Sequence, residues 1–374
     1  MKILHLSKFY PPDPGGLEQV VAQLAEGAAR AGHEVRVVAA TGSGWARSPG
    51  LRHTEPPRRN VVVVRLPTRG IVWSQPIVPG YLAAARGPAD VLHVHHPHPL
   101  ADLAVYAGPR RPMVVTHHAD IRRQGVARPL YWPLVRGVLR RAAAVVVATG
   151  SHIEVSHELR GCEGKVRVIP FGVDVERFGP RPPAPRPLCF PQDPSVAVGL
   201  FVGRLVGYKG LHVLVDAVRG TDLHVVIVGG GPERGPLQER VTRLNLGRQI
   251  VFAGEVTDQE LPDFYRAAAY FVLPSITPQE MFGVVLLEAM ASERAVITTS
   301  LPTGVREVNV AGTTGLEAPV GDAAELRKAM RRLAEDAALR TKLGSAGRQR
   351  VLERFTLDRM IAGHLALYEE LAGG

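Results

Sequence analysis

The sequence is poor in cysteine, in aromatic residues and in long apolar segments, and each shortage excludes a class of protein. Its two cysteines, Cys162 and Cys189, cannot build a disulfide framework and lack the spacing of a metal site. No apolar run approaches the roughly 20 residues that cross a bilayer. The few apolar residues before Lys8 are too short for a secretory signal, so we expect a cytoplasmic protein.

Several motifs of phosphate and metal chemistry are also missing. The 374 residues contain no Asp-x-Asp pair that could clamp a metal–nucleotide complex, and no P-loop. The glycines at 203, 207 and 210, and the run Gly229-Gly-Gly231-Pro, do not have the spacing of a dinucleotide fingerprint. We therefore expect no metal and no cofactor.

The positive charge is concentrated in the first half of the chain. Lys and Arg number 45 against 35 Asp and Glu, a net charge of +10. Residues 1–180 hold 23 basic and 13 acidic residues, and residues 181–374 hold 22 of each, so the first half carries the whole excess. A basic half favours an anionic partner such as an acidic membrane surface or a phosphorylated acceptor, although an arginine-rich coding bias is an equal alternative. Basic residues are not interleaved with aromatic ones, which argues against nucleic acid.

Strand and helix patterns alternate and predict an α/β fold with two doubly wound parallel sheets. Several predicted strands are continuous Val, Ile and Leu runs, which are buried on both faces between layers of helices. A helix is predicted over residues 17–31. The predicted strands are residues 2–7, 35–40, 61–66, 91–95, 113–116 and 143–148, then 196–202, 224–228, 249–252, 270–273 and 295–298.

A proline-rich stretch separates the two halves. Seven prolines fall within residues 179–195, and proline fixes φ and removes a backbone donor, so this stretch is predicted to be a linker. We expect one domain over 1–178, a second over 196–355 and a final helical segment over 356–374. Two such domains imply a ligand cleft at the carboxyl ends of both sheets.

In the second half, Gly203-Arg204-Leu-Val-Gly-Tyr-Lys209-Gly210 follows a predicted strand and precedes a helix. Arg204 can bind a phosphate through two parallel hydrogen bonds, and Lys209 adds a point charge. By itself the segment is equally compatible with a charged surface loop.

Two acids follow the predicted strand over residues 270–273. Glu280 falls in a loop and Glu288 in an apolar helix, where a carboxylate is costly unless it meets a polar ligand or partner. Carboxylates accept hydrogen bonds from sugar hydroxyls. The N–H groups of residues 282–285 would form a helix N-terminus that favours phosphate. The alternative is a capping acid with a structural ion pair.

In the first half, Gly15 and Gly16 precede a predicted helix and would let an anion approach the backbone. His118 ends a predicted strand, where an imidazole can bind a sugar hydroxyl or remain structural. The run His93-Val-His95-His96-Pro-His98 resembles a metal site, but no acid is clearly placed beside it and its prolines favour a loop, so we expect no metal there.

Together these motifs resemble the GT-B glycosyltransferases, specifically the large retaining family 4, over nearly the whole chain. Further stretches resemble bacterial mannosyl- and rhamnosyltransferases of cell-surface polysaccharide assembly. The motifs are Pro-Pro…Gly15-Gly16, Thr-His-His118-x-Asp120, Pro170-Phe-Gly-Val-Asp174-x-x-x-Phe178, Gly203-Arg204…Lys209-Gly210, Gly229-Gly-Gly-Pro and the Glu-x7-Glu of Glu280 and Glu288; the further stretches include Leu130-Tyr-x-Pro133 and Leu301-Pro-Thr-Gly-Val-Arg306.

The resemblance implies a role for each matched residue and places the last helix back on the first domain. His118, Arg204, Lys209 and Glu280 would be the catalytic set: the two cations neutralise the departing diphosphate, Glu280 binds the donor sugar and His118 contacts it from the other domain. The implied donor-binding residues are Gly15 and Gly16 at the diphosphate, Gly203 in the loop that carries Arg204 and Lys209, Glu255 and Val256 at the base, Phe282, Gly283, Val284 and Val285 at sugar and phosphate, and Glu288 at the ribose.

Two departures from the family pattern stand out. Met281 replaces the usual small residue or proline between the acid and Phe282, which affects the choice of donor sugar. Ser292-Glu293-Arg294 replaces the common Cys/Ser-Gly-Lys/Arg turn.

The resemblance implies metal-independent, retaining transfer of a hexose from a nucleoside-diphosphate sugar to a hydroxyl acceptor. GDP-mannose is our first choice of donor. The acceptor would be a lipid-linked glycan at the inner membrane face, contacted through the basic half, or a small molecule. The alternatives are a UDP-glucose or UDP-N-acetylglucosamine transferase acting on a metabolite, a sugar-nucleotide epimerase, or a non-catalytic nucleotide-sugar-binding scaffold.

Overall fold

The computed structural model describes residues 1–13, 15–41, 53–54, 60–72, 75–120, 128–181 and 185–373. The chain divides into two compact units. One unit contains residues 1–171 together with the segment from residue 358 onward, and the other contains residues 172–357.

The described part of the first unit contains ten strands, eight of which form one sheet. Along the chain the strands are β1 (Lys2–Leu6), β2 (Glu34–Ala40), β3 (His53–Thr54), β4 (Val61–Leu66), β5 (Ile71–Val72), β6 (Gln75–Pro76), β7 (Val91–His96), β8 (Met113–His117), β9 (Ala144–Val147) and β10 (Val166–Val168). The spatial order in the sheet is β10-β9-β8-β7-β1-β2-β4-β3, and β5 and β6 form a separate antiparallel pair. The neighbours in the large sheet are parallel except β3 and β4, which are antiparallel.

Both faces of this sheet are buried. Every residue of β7, β8 and β9 is buried, as expected for strands that lie between helices. One apolar cluster contains Leu4, Leu6 and Val94, and the other contains Ile3, Val37 and Val114. The helices of this unit that precede the linker are α1 (Gly16–Arg30), α2 (Tyr81–Ala84), α3 (Pro99–Tyr106), α4 (Arg128–Arg141) and α5 (Gly150–Val155).

The second unit contains a fully parallel sheet. Its strands are β11 (Val198–Val202), β12 (His224–Val228), β13 (Ile250–Gly254), β14 (Tyr270–Leu273), β15 (Ala295–Thr299) and β16 (Gly315–Ala318), in the spatial order β13-β12-β11-β14-β15-β16. The order reverses at β11, which is the topological switch point where α/β sheets bind ligands. Its helices are α6 (Leu211–Val218), α7 (Arg234–Arg243), α8 (Leu261–Ala267), α9 (Val284–Ala291), α10 (Val305–Val308), α11 (Ala323–Glu335) and α12 (Ala337–Arg354).

The last helix, α13 (Leu357–Gly373), packs on the first unit from residue 358 onward. Its Ile361 side chain lies against Gly27 of α1, where a Cβ atom would clash. The hydroxyl of Tyr368 makes a 2.5 Å hydrogen bond with Nδ1 of His93 in β7. The C-terminal helix therefore completes the core of the unit that begins the chain.

The unit boundary lies seven residues earlier than the position expected from the sequence, at 171/172 instead of 178/179. Val173 pairs with the chain just before α13: its N–H donates to the carbonyl of Phe355 at 2.9 Å, and its carbonyl accepts from Leu357 at 2.9 Å. Phe178 stacks edge-on against Tyr265 of α8. These contacts place the residues before the proline-rich stretch in the second unit.

The α/β class with two parallel, Rossmann-like sheets is confirmed, and the predicted strands agree with the observed ones to within about two residues at each end. The short strands β3, β5, β6, β10 and β16 were not predicted. β7 extends through His96, although we expected a loop there. None of the helices in the described parts of the chain is both long enough and apolar enough to span a bilayer.

Candidate active site

The cation loop, residues 203–210, leaves the carboxyl end of β11. Its two terminal glycines have backbone conformations that L side chains rarely adopt, with φ of 148° at Gly203 and 68° at Gly210. A Cβ atom on Gly210 would overlap the carbonyl oxygen of Pro274, which follows β14. The loop therefore lies directly against the segment that follows β14, and Arg204 and Lys209 are carried with it.

The glycine run after β12 packs on the cation loop. The N–H of Leu205 donates to the carbonyl of Gly230 at 2.8 Å, and a Cβ atom on Gly229 would overlap the carbonyl oxygen of Gly203. The carboxylate of Glu255, the residue after β13, lies against Gly230. The structure thus brings Glu255 to the same sheet edge as Gly203, with Val256 next along the chain.

Lys209 and Glu280 form a buried ion pair. Nζ of Lys209 donates to Oε2 of Glu280 at 2.5 Å, and the Oγ of Ser275 donates to the same oxygen at 2.9 Å. The carbonyl of Glu280 accepts a 2.8 Å hydrogen bond from the Thr303 hydroxyl, which fixes the backbone that carries the acid. Burial lowers the pKa of Lys209, but Glu280 and Tyr208 together outweigh it, so the pKa is raised and the ammonium group stays charged.

Arg204 differs from Lys209 in its surroundings. Its side chain is exposed and makes no hydrogen bond or ion pair with the residues that the structure describes. A guanidinium group held on a glycine-bounded loop beside a buried cation can bind an anion such as a phosphate.

The acid in α9 also has a specific partner. Oε2 of Glu288 accepts a 2.6 Å hydrogen bond from the hydroxyl of Tyr265 in α8. Burial raises the pKa of Glu288 to about 7, although Tyr265 and Arg177 oppose the shift. This carboxyl is therefore a hydrogen-bonding group that can change protonation state near neutral pH.

The N-terminus of α9 lies between the two acids. Gly283 precedes the helix with φ of 76° and no side-chain cap, so the N–H groups of Val284 and Val285 have no partner within the helix. The ring of Phe282 is buried edge-on against Phe355. Any ligand contact of Phe282 must therefore use its backbone, as the family resemblance implies.

Three of the predicted residues belong to the first unit. Gly15 and Gly16 form the N-terminus of α1, where the carboxylate of Glu18 lies against Gly15. His118 follows β8, and its N–H donates to the carbonyl of His96 at 3.0 Å. All three lie at the carboxyl ends of the first sheet.

The His118 ring is buried and neutral. Its Nε2 lies 3.3 Å from Nδ1 of His95, and the ring stacks on Phe171 with centroids 5.7 Å apart. Nδ1 of His118 has no hydrogen-bond partner among the described residues. Burial, reinforced by the neighbouring His117 and Lys8, holds the pKa of His118 well below its usual value.

The expectation that no acid accompanies the histidine run was wrong. Nδ1 of His96 is 3.0 Å from Asp102, and its Nε2 is 3.0 Å from Glu158. These acids lie 6 and 62 residues away along the chain, so their proximity depends on the fold of the unit. Sequence reasoning missed Ser275, Thr303 and Tyr265 for the same reason, since nothing in their local pattern marks them as partners of Glu280 and Glu288.

The two halves of the chain match family models of sugar-transferring enzymes. The family described as "Glycosyltransferase Family 4" matches residues 14–177, and the family described as "Glycosyl transferases group 1" matches residues 191–350.

Curated relatives match over almost the full length. A D-rhamnosyltransferase of Pseudomonas aeruginosa is 34% identical and covers 95% of this chain and 92% of its own. The O-antigen chain mannosyltransferase C of Escherichia coli is 30% identical, and the match covers 99% of both chains.

Solved structures share the fold. Sucrose-phosphate synthase from Thermosynechococcus elongatus superposes with a TM-score of 0.85 at 23% identity, covering 100% of this chain and 99% of that one. Anabaena HepE, solved in complex with UDP and glucose, superposes with a TM-score of 0.80 at 19% identity, covering 99% of this chain and 100% of that one.

The two Rossmann-like units, with glycine loops and paired charges at the carboxyl ends of their sheets, are those of a GT-B glycosyltransferase. The chain belongs to glycosyltransferase family 4, and its enzyme class is hexosyltransferase.

Proposed function

We propose that this enzyme transfers a hexose from a nucleoside-diphosphate sugar to a hydroxyl acceptor with retention of configuration, and that GDP-mannose is the donor. The observation that carries the proposal is the buried ion pair between Glu280 and Lys209 of the cation loop, the same loop that exposes Arg204. A carboxylate that binds sugar hydroxyls is thus in contact with a cation that can face a diphosphate.

The reaction breaks the bond between the anomeric carbon and the β-phosphate oxygen, and negative charge grows on the departing diphosphate. Arg204, Lys209 and the N-terminus of α9 supply fixed positive potential for that charge, so we propose that the step needs no metal ion. One such donor contributes about 3 kcal/mol to the transition state. The cations therefore replace the missing Asp-x-Asp clamp.

Retention follows a front-face route in this proposal. The acceptor hydroxyl attacks from the side that the diphosphate leaves, and its proton passes to the departing phosphate oxygen. Glu280 is held by Lys209 and Ser275, so it orients the sugar and does not form a covalent adduct. A trapped glycosyl-enzyme intermediate on any carboxylate would contradict this route.

The donor is tested by a thermal-shift panel of GDP, UDP, ADP and their hexose conjugates. A ligand at about 100 times its Kd stabilises the folded chain by about 2.7 kcal/mol, so one base should stand out. GDP-mannose is favoured because the relatives named above are a rhamnosyltransferase and a mannosyltransferase. A uridine-specific shift would support the UDP-sugar alternative instead, and no shift with any nucleotide would end the proposal.

We propose a lipid-linked glycan of cell-surface polysaccharide assembly, at the cytoplasmic membrane face, as the acceptor. The +10 net charge of residues 1–180 supports this choice, because a basic surface attracts anionic lipid. Binding to acidic liposomes at low salt, absent with neutral liposomes, is the expected result. Indifference to lipid charge would favour a small acceptor.

Product analysis separates the proposed transfer from the other activities. Incubation with donor and acceptor should yield a new glycoside whose anomeric proton has the configuration of the donor by NMR. An epimerase would convert the donor in the absence of acceptor. A binding scaffold would give no product, and its nucleotide-sugar affinity would be its whole activity.

A further inference from the structure

Four polar side chains of the first unit converge where β7 and β8 end. We call His96, His117, Asp120 and Glu158 the histidine–carboxylate cluster. Oε2 of Glu158 lies 3.0 Å from Nε2 of His96 and 2.9 Å from Nε2 of His117, and Oδ1 of Asp120 lies 3.6 Å from the same His117 nitrogen. The side chains of His96, His117 and Glu158 are 1% exposed or less, and that of Asp120 is 6% exposed.

These spacings match the ligand shell of a metal ion. Nitrogen and oxygen ligands lie about 2.1 Å from zinc, so two ligands at the tetrahedral angle around it are separated by about 3.4 Å, close to the 2.9 to 3.6 Å seen here. The ligand atoms of His96, His117 and Glu158 all lie within 4.8 Å of one another. The three atoms can therefore bind one ion with small adjustments of side-chain torsions.

The other ring nitrogen of each histidine, Nδ1, also has a hydrogen-bonding partner. Nδ1 of His96 lies 3.0 Å from Asp102, which in turn accepts a hydrogen bond from the hydroxyl of Tyr131. Nδ1 of His117 lies 3.0 Å from Nε2 of His152. Metal-bound histidines characteristically engage their second nitrogen with a partner that fixes ring orientation.

We propose that the histidine–carboxylate cluster binds a divalent transition-metal ion of the zinc class through Nε2 of His96, Nε2 of His117 and the carboxylates of Glu158 and Asp120. Two imidazoles and two carboxylates form a nitrogen–oxygen donor set suited to this ion, and the carboxylates balance its charge. Its ligands belong to the first unit, whereas Arg204 and Lys209 belong to the second.

A neighbouring histidine group is a weaker candidate. His5, His93 and His95 also converge, but this set contains no carboxylate to balance an ion. Both ring nitrogens of His93 are already engaged, one by Thr116 at 2.6 Å and the other by Tyr368 at 2.5 Å. Charge therefore favours the histidine–carboxylate cluster, although the oxygens of Asp120 also have partners, the Ser156 hydroxyl and the His157 N–H.

The ion would join parts of the first unit that are distant in sequence. His96 ends β7, His117 ends β8, and Glu158 lies beyond α5. The carbonyl of His96 accepts the N–H of His118 at 3.0 Å, so an ion bound to His96 and His117 would also fix the backbone of His118. Its role is thus to hold the strand ends from which His118 projects.

The test uses the untagged full-length chain, stripped with EDTA, dialysed against ZnCl₂ and then against buffer. We expect about one zinc ion per chain by elemental analysis and a higher unfolding temperature than for the stripped protein. Glu158→Gln should lose retained zinc, and Asp102→Asn, which alters the shared partner of His96 and Tyr131 and no proposed ligand, should weaken zinc binding about 10- to 100-fold. His98→Gln is the matched control, because His98 is a buried histidine of the same unit outside the cluster.

Two results would overturn the site. The first is that the wild-type chain retains no zinc and that zinc does not change its unfolding temperature. The cluster would then bind no metal ion. Equal zinc retention by wild type and Glu158→Gln would place the ion elsewhere. If Glu158→Gln fails to fold, Co²⁺ binding to the wild-type chain is measured instead. A visible absorption band typical of nitrogen–oxygen coordination, abolished by adding zinc, would support the site, and absence of the band would contradict it. None of these readouts depends on sugar transfer.

Discussion

Nζ of Lys209 lies 2.5 Å from Oε2 of Glu280, with both side chains about nine-tenths buried. Lys209 is brought to the pair by the loop after β11, and Glu280 by the loop after β14, so the contact joins neighbouring strands at the switch point of the second sheet. The ammonium group is neutralised in part before any ligand binds. Arg204, which is exposed, is then the cation with the most uncompensated charge in the loop.

Breaking this ion pair should affect stability and activity separately. Lys209→Met leaves a buried carboxylate unpaired and Glu280→Gln leaves a buried ammonium group unpaired, each destabilising the fold by about 3 kcal/mol. The double variant should cost less than the sum, because neither charge is then left alone. Urea unfolding measures stability. In all three variants kcat/KM should be at least about a hundredfold below the wild-type value.

The matched control is a half-exposed pair in the same unit. Arg240 binds Asp216 at 2.7 Å, with both side chains 36% exposed. Arg240→Gln should cost less than about 1 kcal/mol and leave kcat/KM unchanged. Additive losses in the Lys209 and Glu280 double variant would mean that the two charges do not interact energetically.

Removing Arg204 should lower activity without affecting the fold. Its exposed side chain contributes no described contact to stability, so Arg204→Gln should change the free energy of unfolding by less than about 0.5 kcal/mol. Its loss from the proposed diphosphate site should lower kcat about a hundredfold. Arg219→Gln, another exposed arginine of this unit, serves as control, and wild-type turnover by Arg204→Gln would remove this residue from the mechanism.

The cation loop offers two glycines that differ in their surroundings. Gly210 has φ of 68° and its Cβ position is occupied by the carbonyl of Pro274, whereas Gly207 has open space around its Cβ position. Gly210→Ala should therefore destabilise the second unit by about 2 kcal/mol or more, and Gly207→Ala by less than about 0.5 kcal/mol. Thermal unfolding of the two variants side by side measures the difference, and equal midpoints would contradict the close approach of the two loops.

The parallel sheets could be predicted because burial on both faces leaves a mark in the sequence. The runs in β4, β9 and β12 are nearly continuous valine, which only a covered sheet accommodates. The missed strands are only two to four residues long and few of their residues are fully buried, so they do not show this pattern.

The site was predicted only in part, for a related reason. Glu280 and Glu288 stood out as acids in apolar surroundings, a feature visible in the sequence alone. Their partners Lys209 and Tyr265 lie 71 and 23 residues away, and no local pattern specifies which side chain meets which acid. The same holds for Glu158, whose contact with His96 depends on where the segment after α5 packs.

The final prediction concerns the pH dependence of stability through Glu288. Burial raises the pKa of its carboxyl from the usual 4.5 to about 7, so the folded chain binds this proton more tightly than the unfolded chain. Stability should fall as the pH rises from about 4.5 to 7, by up to about 3 kcal/mol from this group, and the full penalty should persist above pH 7. Glu288→Gln removes the titrating group, so its stability relative to wild type should increase over that interval.

Tyr265→Phe gives a second, opposite test of the same carboxyl. The Tyr265 hydroxyl donates to Glu288 at 2.6 Å and so lowers its pKa; without it, the pKa should rise further and the fall in stability should extend to higher pH. Urea unfolding between pH 5 and 8 on wild type and both variants measures the three curves. Parallel curves for wild type and Glu288→Gln would mean that this carboxyl titrates alike in the folded and unfolded chains, and that burial in α9 does not perturb it.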